Sequence, residues 1–191
     1  MPDGTQKIIA IGASTGGVAA LDKLLSGFPK LMPPILIVQH MPPHFTRLFA
    51  ERLDAVLKLS VKEAKTGDFL TPGQVLIAPG GKHMKLIKIN GKLAVECYVG
   101  EKVQFVMPSA DVLFDSVAQL VGPSAIGVIL TGVGCDGANG LLKMRERGAI
   151  TIGQDKASSE IYGMPKAAYE MGSVKHVLPL GHISTKILSL L

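Results

Sequence analysis

The chain has 191 residues, 47% hydrophobic and 18% charged, with 20 Lys and Arg against 15 Asp and Glu for a formal net charge of +5. That size and balance fit one globular domain and exclude a disordered chain. No apolar stretch is long enough to span a bilayer, the start (Met1-Pro2-Asp3-Gly4) is no signal peptide, and the scattered cations lack the basic block and interleaved aromatics of a nucleic-acid binder.

Cys97 and Cys135 are the only cysteines, so no disulfide is expected and a reducing cytoplasm fits. The apolar run Lys7-Ile8-Ile9-Ala10-Ile11 predicts a strand, and it ends in Gly12-Ala13-Ser14-Thr15-Gly16-Gly17 before a helix over 18–27. Residues 35–38 predict a strand buried on both faces, as in a parallel sheet. Pro42-Pro43 then opens a helix to about Leu57. In the middle, 75–78, 83–89 and 92–99 read as short strands with Asn90-Gly91 as a hairpin turn. An antiparallel hairpin insertion is therefore expected around residues 75–99. The alternation resumes with a helix over 109–121, a strand over 125–130, a helix over 138–147 and a strand over 149–152. A short helix near 165–171, a strand over 174–178 and a helix from about His182 complete the chain. Repeated βα units predict an α/β fold, a three-layer α/β/α sandwich with a mostly parallel, doubly wound sheet, as one domain over 1–191.

In such a sheet every strand-to-helix loop leaves at the same edge, where open α/β sheets place their chemistry. Three of these loops carry Ser14, His40 (in Gln39-His40-Met41-Pro42-Pro43) and Asp136 (in Thr131-Gly132-Val133-Gly134-Cys135-Asp136-Gly137). A hydroxyl nucleophile, an imidazole that takes its proton and a carboxylate that orients the imidazole form the triad of serine hydrolases. The surrounding glycines would let backbone N–H groups approach an oxyanion. Each residue alone has a plainer reading. Ser14 and Asp136 would serve as helix caps, Asp136 for the helix that follows it, and His40 as a hydrogen-bonded edge histidine. Gly12-Ala13-Ser14-Thr15-Gly16 also matches G-x-S-x-G, but the order Ser, His, Asp is not that of α/β-hydrolases.

Other candidates are weaker. The 12–17 loop could cradle a phosphate at a helix N-terminus, but it is no P-loop. His40 and His44 have the spacing of helical metal ligands, yet Pro42 and Pro43 interrupt any helix between them. Cys135 reads as a small buried loop cysteine, and His83, His176 and His182 as ordinary surface or edge residues.

Together the three loops resemble the catalytic domain of bacterial chemotaxis protein-glutamate methylesterases, over essentially the whole chain. Phe45-Thr46-Arg47, Ile77-Ala78-Pro79-Gly80, His83-Met84, Pro108-Ser109-Ala110-Asp111-Val112-Leu113-Phe114 and Tyr162-Gly163-Met164-Pro165 carry the likeness between and beyond the loops. The resemblance implies a Ser14–His40–Asp136 triad, with Thr15 assisting around the imidazole. It also implies a backbone N–H of Val133, at a position usually Met, in the oxyanion hole. Cys135 stands where Asn is common. Phe105-Val106-Met107 departs from the family, whose members often carry a His-Arg pair there.

The implied reaction is hydrolysis of glutamate γ-methyl esters on chemoreceptor cytoplasmic helices, with deamidation of receptor glutamines, in the cytoplasm and without metal or organic cofactor. The implied partners are those receptor helices, and a chemotaxis histidine kinase through a receiver domain; nucleic acid and membrane insertion are not expected. The first strand begins within ten residues of the start, so no receiver domain is expected and an excised catalytic domain is favoured over a stand-alone relative. The rival from another class is a non-catalytic α/β signalling or phosphate-binding module that uses the 12–17 loop.

Overall fold

β1 (Ile8–Ala13) is buried at every position and feeds two cores at once. Ile8 and Ala10 face one core, while Ile9, Ile11 and Ala13 face the other. The two-residue period of a strand produces this split, and only a strand apolar on both faces can serve it. β2 (Ile35–Gln39) and β7 (Ala125–Ile129) are likewise buried throughout and flank β1 in parallel. The computed structural model describes residues 7–191, and the expectation about Met1-Pro2-Asp3-Gly4 lies outside them.

The main sheet has seven parallel strands in the order β3-β4-β2-β1-β7-β8-β9. Its outer strands are β3 (Ser60–Glu63), β4 (Gln74–Ile77), β8 (Ile150–Gln154) and β9 (His176–Leu178). Helices α1 (Gly17–Ser26), α2 (Phe45–Val56) and α6 (Leu180–Leu188) cover one face, through residues such as Leu21, Leu53 and Ile183. Helices α3 (Ala110–Leu120), α4 (Ala138–Glu146) and α5 (Met164–Glu170) cover the other, through Phe114, Leu141 and Ala168. The expected three-layer sandwich is therefore the observed architecture. Among the described residues no helix is long and apolar enough to cross a membrane.

The antiparallel insertion is the hairpin β5 (His83–Ile89) and β6 (Lys92–Tyr98), turning at Asn90-Gly91. It packs on α3 through Met84, Leu86 and Val95, and Leu86 N donates to Ser116 Oγ at 2.8 Å. The strand at its expected start differs, because Gln74–Ile77 pairs with β2 and β3 inside the parallel sheet. Two further boundaries shift. Pro42 and Pro43 lie outside α2, which begins at Phe45 after His44 turns the chain with a φ of 71°. β3 was not expected at all, since only Val61 of its four residues is buried.

The chain builds β2, β3 and β4 on one side of β1, then crosses to β7 on the other. That reversal makes the carboxyl end of β1 the switch point of the sheet, the place where a crevice opens.

Candidate active site

Ser14 and His40 stand next to one another because the strands that carry them are in register. Ala13 pairs with Gln39, and each strand's following residue is the one of interest. His40 N donates to Ala13 O and Ser14 N donates to Thr131 O, both at 3.0 Å, so the ladder extends beyond the strands. Gln39, buried at the end of β2, donates through Nε2 to the carbonyls of Ser14 (2.9 Å) and His40 (3.1 Å). Gly17 N adds a third hold on the serine, donating to its carbonyl at 2.8 Å. The nucleophile candidate thus sits on a backbone fixed from three sides.

Gly132 makes the crowding possible. A Cβ on it would come within 2.6 Å of Ser14 Cβ, a distance no side chain tolerates. Gly16 ends the loop in the left-handed region, with a φ of 78°, as the residue before α1. The half-buried Ser14 hydroxyl itself has no hydrogen-bond partner among the described residues.

The loops after β2 and β7 meet across the end of β1. His40 Nε2 lies 2.8 Å from Asp136 Oδ2, with Asp136 only 2% exposed. Asp136 also accepts from Ser109 Oγ (2.6 Å), Ala110 N (2.6 Å) and Asp111 N (3.2 Å). It does cap a helix, though not α4, which starts at Ala138 after Gly137 without any side-chain cap bond. Asp136 sits at the N-terminus of α3, where orphan N–H groups and the helix dipole favour a negative charge. Burial pushes its pKa up, but the bonds from His40, Ser109 and Ala110 outweigh burial and hold the carboxyl below the usual carboxylate value. An ionised carboxylate only accepts, so the proton of this bond belongs to His40 Nε2. A neutral imidazole then keeps its lone pair on Nδ1.

The other expected site residues lie around this centre. Thr15 is exposed beside Ser14, and its carbonyl accepts from Thr131 Oγ1 at 3.0 Å. Val133 has a side chain 59% exposed. The N–H groups of Thr15 and Val133 donate to no protein acceptor among the described residues, so both are free to serve a ligand.

Two expectations are corrected. Cys135 is exposed rather than buried, and its Sγ donates to Gln104 Oε1 at 3.4 Å. His83 is no surface residue, being 1% exposed. Its Nδ1 accepts from Ser109 N at 3.2 Å and its Nε2 donates to Glu101 O at 2.8 Å. It therefore supports the residue whose hydroxyl holds Asp136. Gln39, Ser109 and His83 were not read as site residues. A polar glutamine closing a strand buried on both faces is the signal that could have found the first.

The phosphate reading of the 12–17 loop fares poorly. Gly17 N is already spent on Ser14 O, and a Cβ on Gly16 would lie 2.7 Å from Glu160 Oε2, so a carboxylate flanks the loop. His44 is exposed at the start of α2, and among the described residues no group of three His, Cys, Asp or Glu is placed to hold a metal.

The chain is 51% identical over 191 residues to a protein-glutamate methylesterase/protein-glutamine glutaminase of Syntrophotalea carbinolica, covering all of this chain and 54% of that protein. It is 53% identical over 187 residues to one of Sulfurimonas denitrificans, covering 98% of this chain and 53% of the relative. The chain thus spans about half the length of these curated relatives. The crystal structure of the Thermotoga maritima CheB methylesterase catalytic domain superposes with a TM-score of 0.94 at 42% identity, covering 97% of this chain and 98% of that one. The family model for CheB methylesterase matches residues 9–187. With a match of that extent, and with the edge of the sheet built as described, the chain belongs to the CheB methylesterase family.

Proposed function

We propose that this chain is a serine hydrolase, the catalytic domain of an enzyme that removes methyl groups from glutamate γ-methyl esters on chemoreceptors and deamidates receptor glutamines. The observation that carries the reading is the bond from His40 Nε2 to a buried, four-times-bonded Asp136, at the strand end that presents Ser14. The names of the relatives supply the substrate class, a protein glutamate ester or glutamine.

In this mechanism Ser14 Oγ attacks the ester carbonyl while His40 Nδ1 takes its proton. Asp136 stabilises the imidazolium through Nε2 and stays ionised. The oxyanion of the tetrahedral intermediate accepts from the N–H groups of Thr15 and Val133, a stabilisation of about 3–4 kcal/mol per donor in other hydrolases. Collapse expels methanol, or ammonia from a glutamine, protonated by His40. Water activated by the same imidazole then attacks the glutamyl–serine ester, releasing glutamate and restoring Ser14. The receptor helices are encountered in the cytoplasm, and input from a chemotaxis histidine kinase through a receiver domain belongs to the same reading.

Incubation with methyl-labelled receptor tests it. Labelled methanol should appear with the wild-type chain and fall to background in Ser14→Ala. Full release by that variant would sink the serine mechanism.

A further inference from the structure

Val103 and Val106 exchange backbone hydrogen bonds of 3.2 and 3.0 Å across a two-residue turn, Gln104-Phe105. Both turn residues have positive φ, 50° and 65°. Asn90-Gly91 fills the same geometry at the tip of the β5–β6 hairpin, with φ of 49° and 78°, and Asn-Gly is the pair this turn prefers. A phenylalanine in the left-handed region strains the backbone. Its side chain is also 93% exposed, so burial returns nothing to the fold.

The tip is nevertheless firmly held. Glu101 O accepts from buried His83, Gly81 N donates to Met107 O at 3.3 Å, and Gln104 receives the Cys135 thiol beside Asp136. Phe105 lines a cleft of about 320 Å³ together with Lys102 and Met107 from its own segment and His40, Met41 and Pro42 from the loop after β2.

We propose that Phe105 is a specificity-determining residue. The cleft seats an apolar residue of the protein helix that carries the reacting glutamyl side chain, held between Phe105 and the Met41-Pro42 wall. This inference rests on the esterase reading above. The occupant is the substrate because His40 itself lines the cleft, so a segment lying in it adjoins the group that takes the serine proton. Lys102 on the same rim complements a helix whose reacted positions are carboxylates.

The test compares Phe105→Gly and Phe105→Leu with wild type on two substrates, a methylated receptor cytoplasmic fragment and N-acetylglutamate γ-methyl ester, which is too short to lie along the cleft. The preference for the receptor fragment, as a ratio of kcat/KM values, should fall about tenfold in Phe105→Gly, the loss of one interface anchor. The fall should lie in KM, and Phe105→Leu should restore most of it. The melting temperature of Phe105→Gly should equal or exceed that of wild type, since glycine relieves the turn. An unchanged preference would overturn the role of Phe105 while leaving the esterase reading intact. A Phe105→Gly variant that gains activity on the small ester at an unchanged KM for the receptor fragment would assign the tip to a covering segment of the protein instead, and would equally overturn the proposal. Wild-type inactivity on both substrates would overturn the esterase reading and this role with it.

Discussion

His40 turns Nε2, not Nδ1, toward Asp136, at 2.8 Å. The imidazole is thereby committed to one tautomer, with its basic lone pair on the nitrogen nearer its own backbone. Nitrogen-15 NMR of the imidazole should find Nε2 protonated and Nδ1 bare at a pH where the ring is neutral. Asp136→Ala should remove that preference. A proton resident on Nδ1 in the wild-type chain would contradict the arrangement.

Asp136→Asn should carry two costs. Turnover should drop by roughly 10⁴-fold, as when other triads lose this carboxylate. The fold should also weaken by about 1–3 kcal/mol, because an amide NH2 must face a donor on one side or the other. Those donors are Ala110 N and His40 at one oxygen, Ser109 Oγ and Asp111 N at the other. Methanol release and urea unfolding report the two effects separately. A carboxylate that only capped α3 would show the second without the first.

The same carboxylate gives the protein an acid limb. Its folded pKa lies below the ordinary 3.8, so between the two values the unfolded chain binds the proton and the native state does not. The stability from Asp136 is thus fully present above 3.8 and is lost as pH falls through the lower folded value. Unfolding free energies measured from pH 5 downward should fall more steeply in wild type than in Asp136→Asn. Equal slopes would mean that Asp136 carries no such linkage.

Asp111 runs the opposite way. Burial raises its pKa, the bond from Gly140 N lowers it, and the Asp136 charge raises it again. The ionised form is therefore a net cost at neutral pH, despite the place of Asp111 in the first turn of α3. Asp111→Asn keeps an oxygen for Gly140 N and discards the buried charge. It should raise the melting temperature at pH 7 by a few degrees, a gain that shrinks as pH falls through the raised pKa and wild type becomes protonated. A lower melting temperature at pH 7 would show that the helix-dipole contribution of the charge prevails.

His83→Ala should leave Ser109 N without its acceptor and Glu101 O without its donor. The expected loss is about 1–3 kcal/mol for the buried Ser109 N, read from urea unfolding, since Glu101 is exposed and its carbonyl can turn to water. His83→Asn, whose side-chain oxygen can take the place of Nδ1 toward Ser109, should recover turnover better than His83→Gln. The reverse ranking would mean that the Glu101 contact matters more than the support of Ser109.

The central strands were legible because β1, β2 and β7 are apolar on both faces, a pattern that fits little but a parallel sheet interior. β3 was not, since an edge strand with one buried residue, Val61, has no such run to betray it. Ser14 and His40 could be placed from sequence, each lying one step past a strand end. Asp136 could be placed on its loop, but the helix it caps could not, because Ala110 lies 26 residues away along the chain. His83 shows the same limit. Its partners Ser109 and Glu101 are distant in sequence, and nothing in Lys82-His83-Met84 marks the ring as buried. Cys135 looked like a buried small residue among glycines, yet the loop turns its thiol outward to Gln104.

The claim that Ser14 is the nucleophile meets its most direct test in a rapid acid quench of wild-type chain with methylated receptor fragment, followed by mass analysis of its peptides. A glutamyl adduct should appear on the peptide that contains Ser14, and on no other. An adduct on a different residue, or turnover that passes through no adduct and persists in Ser14→Ala, would contradict it.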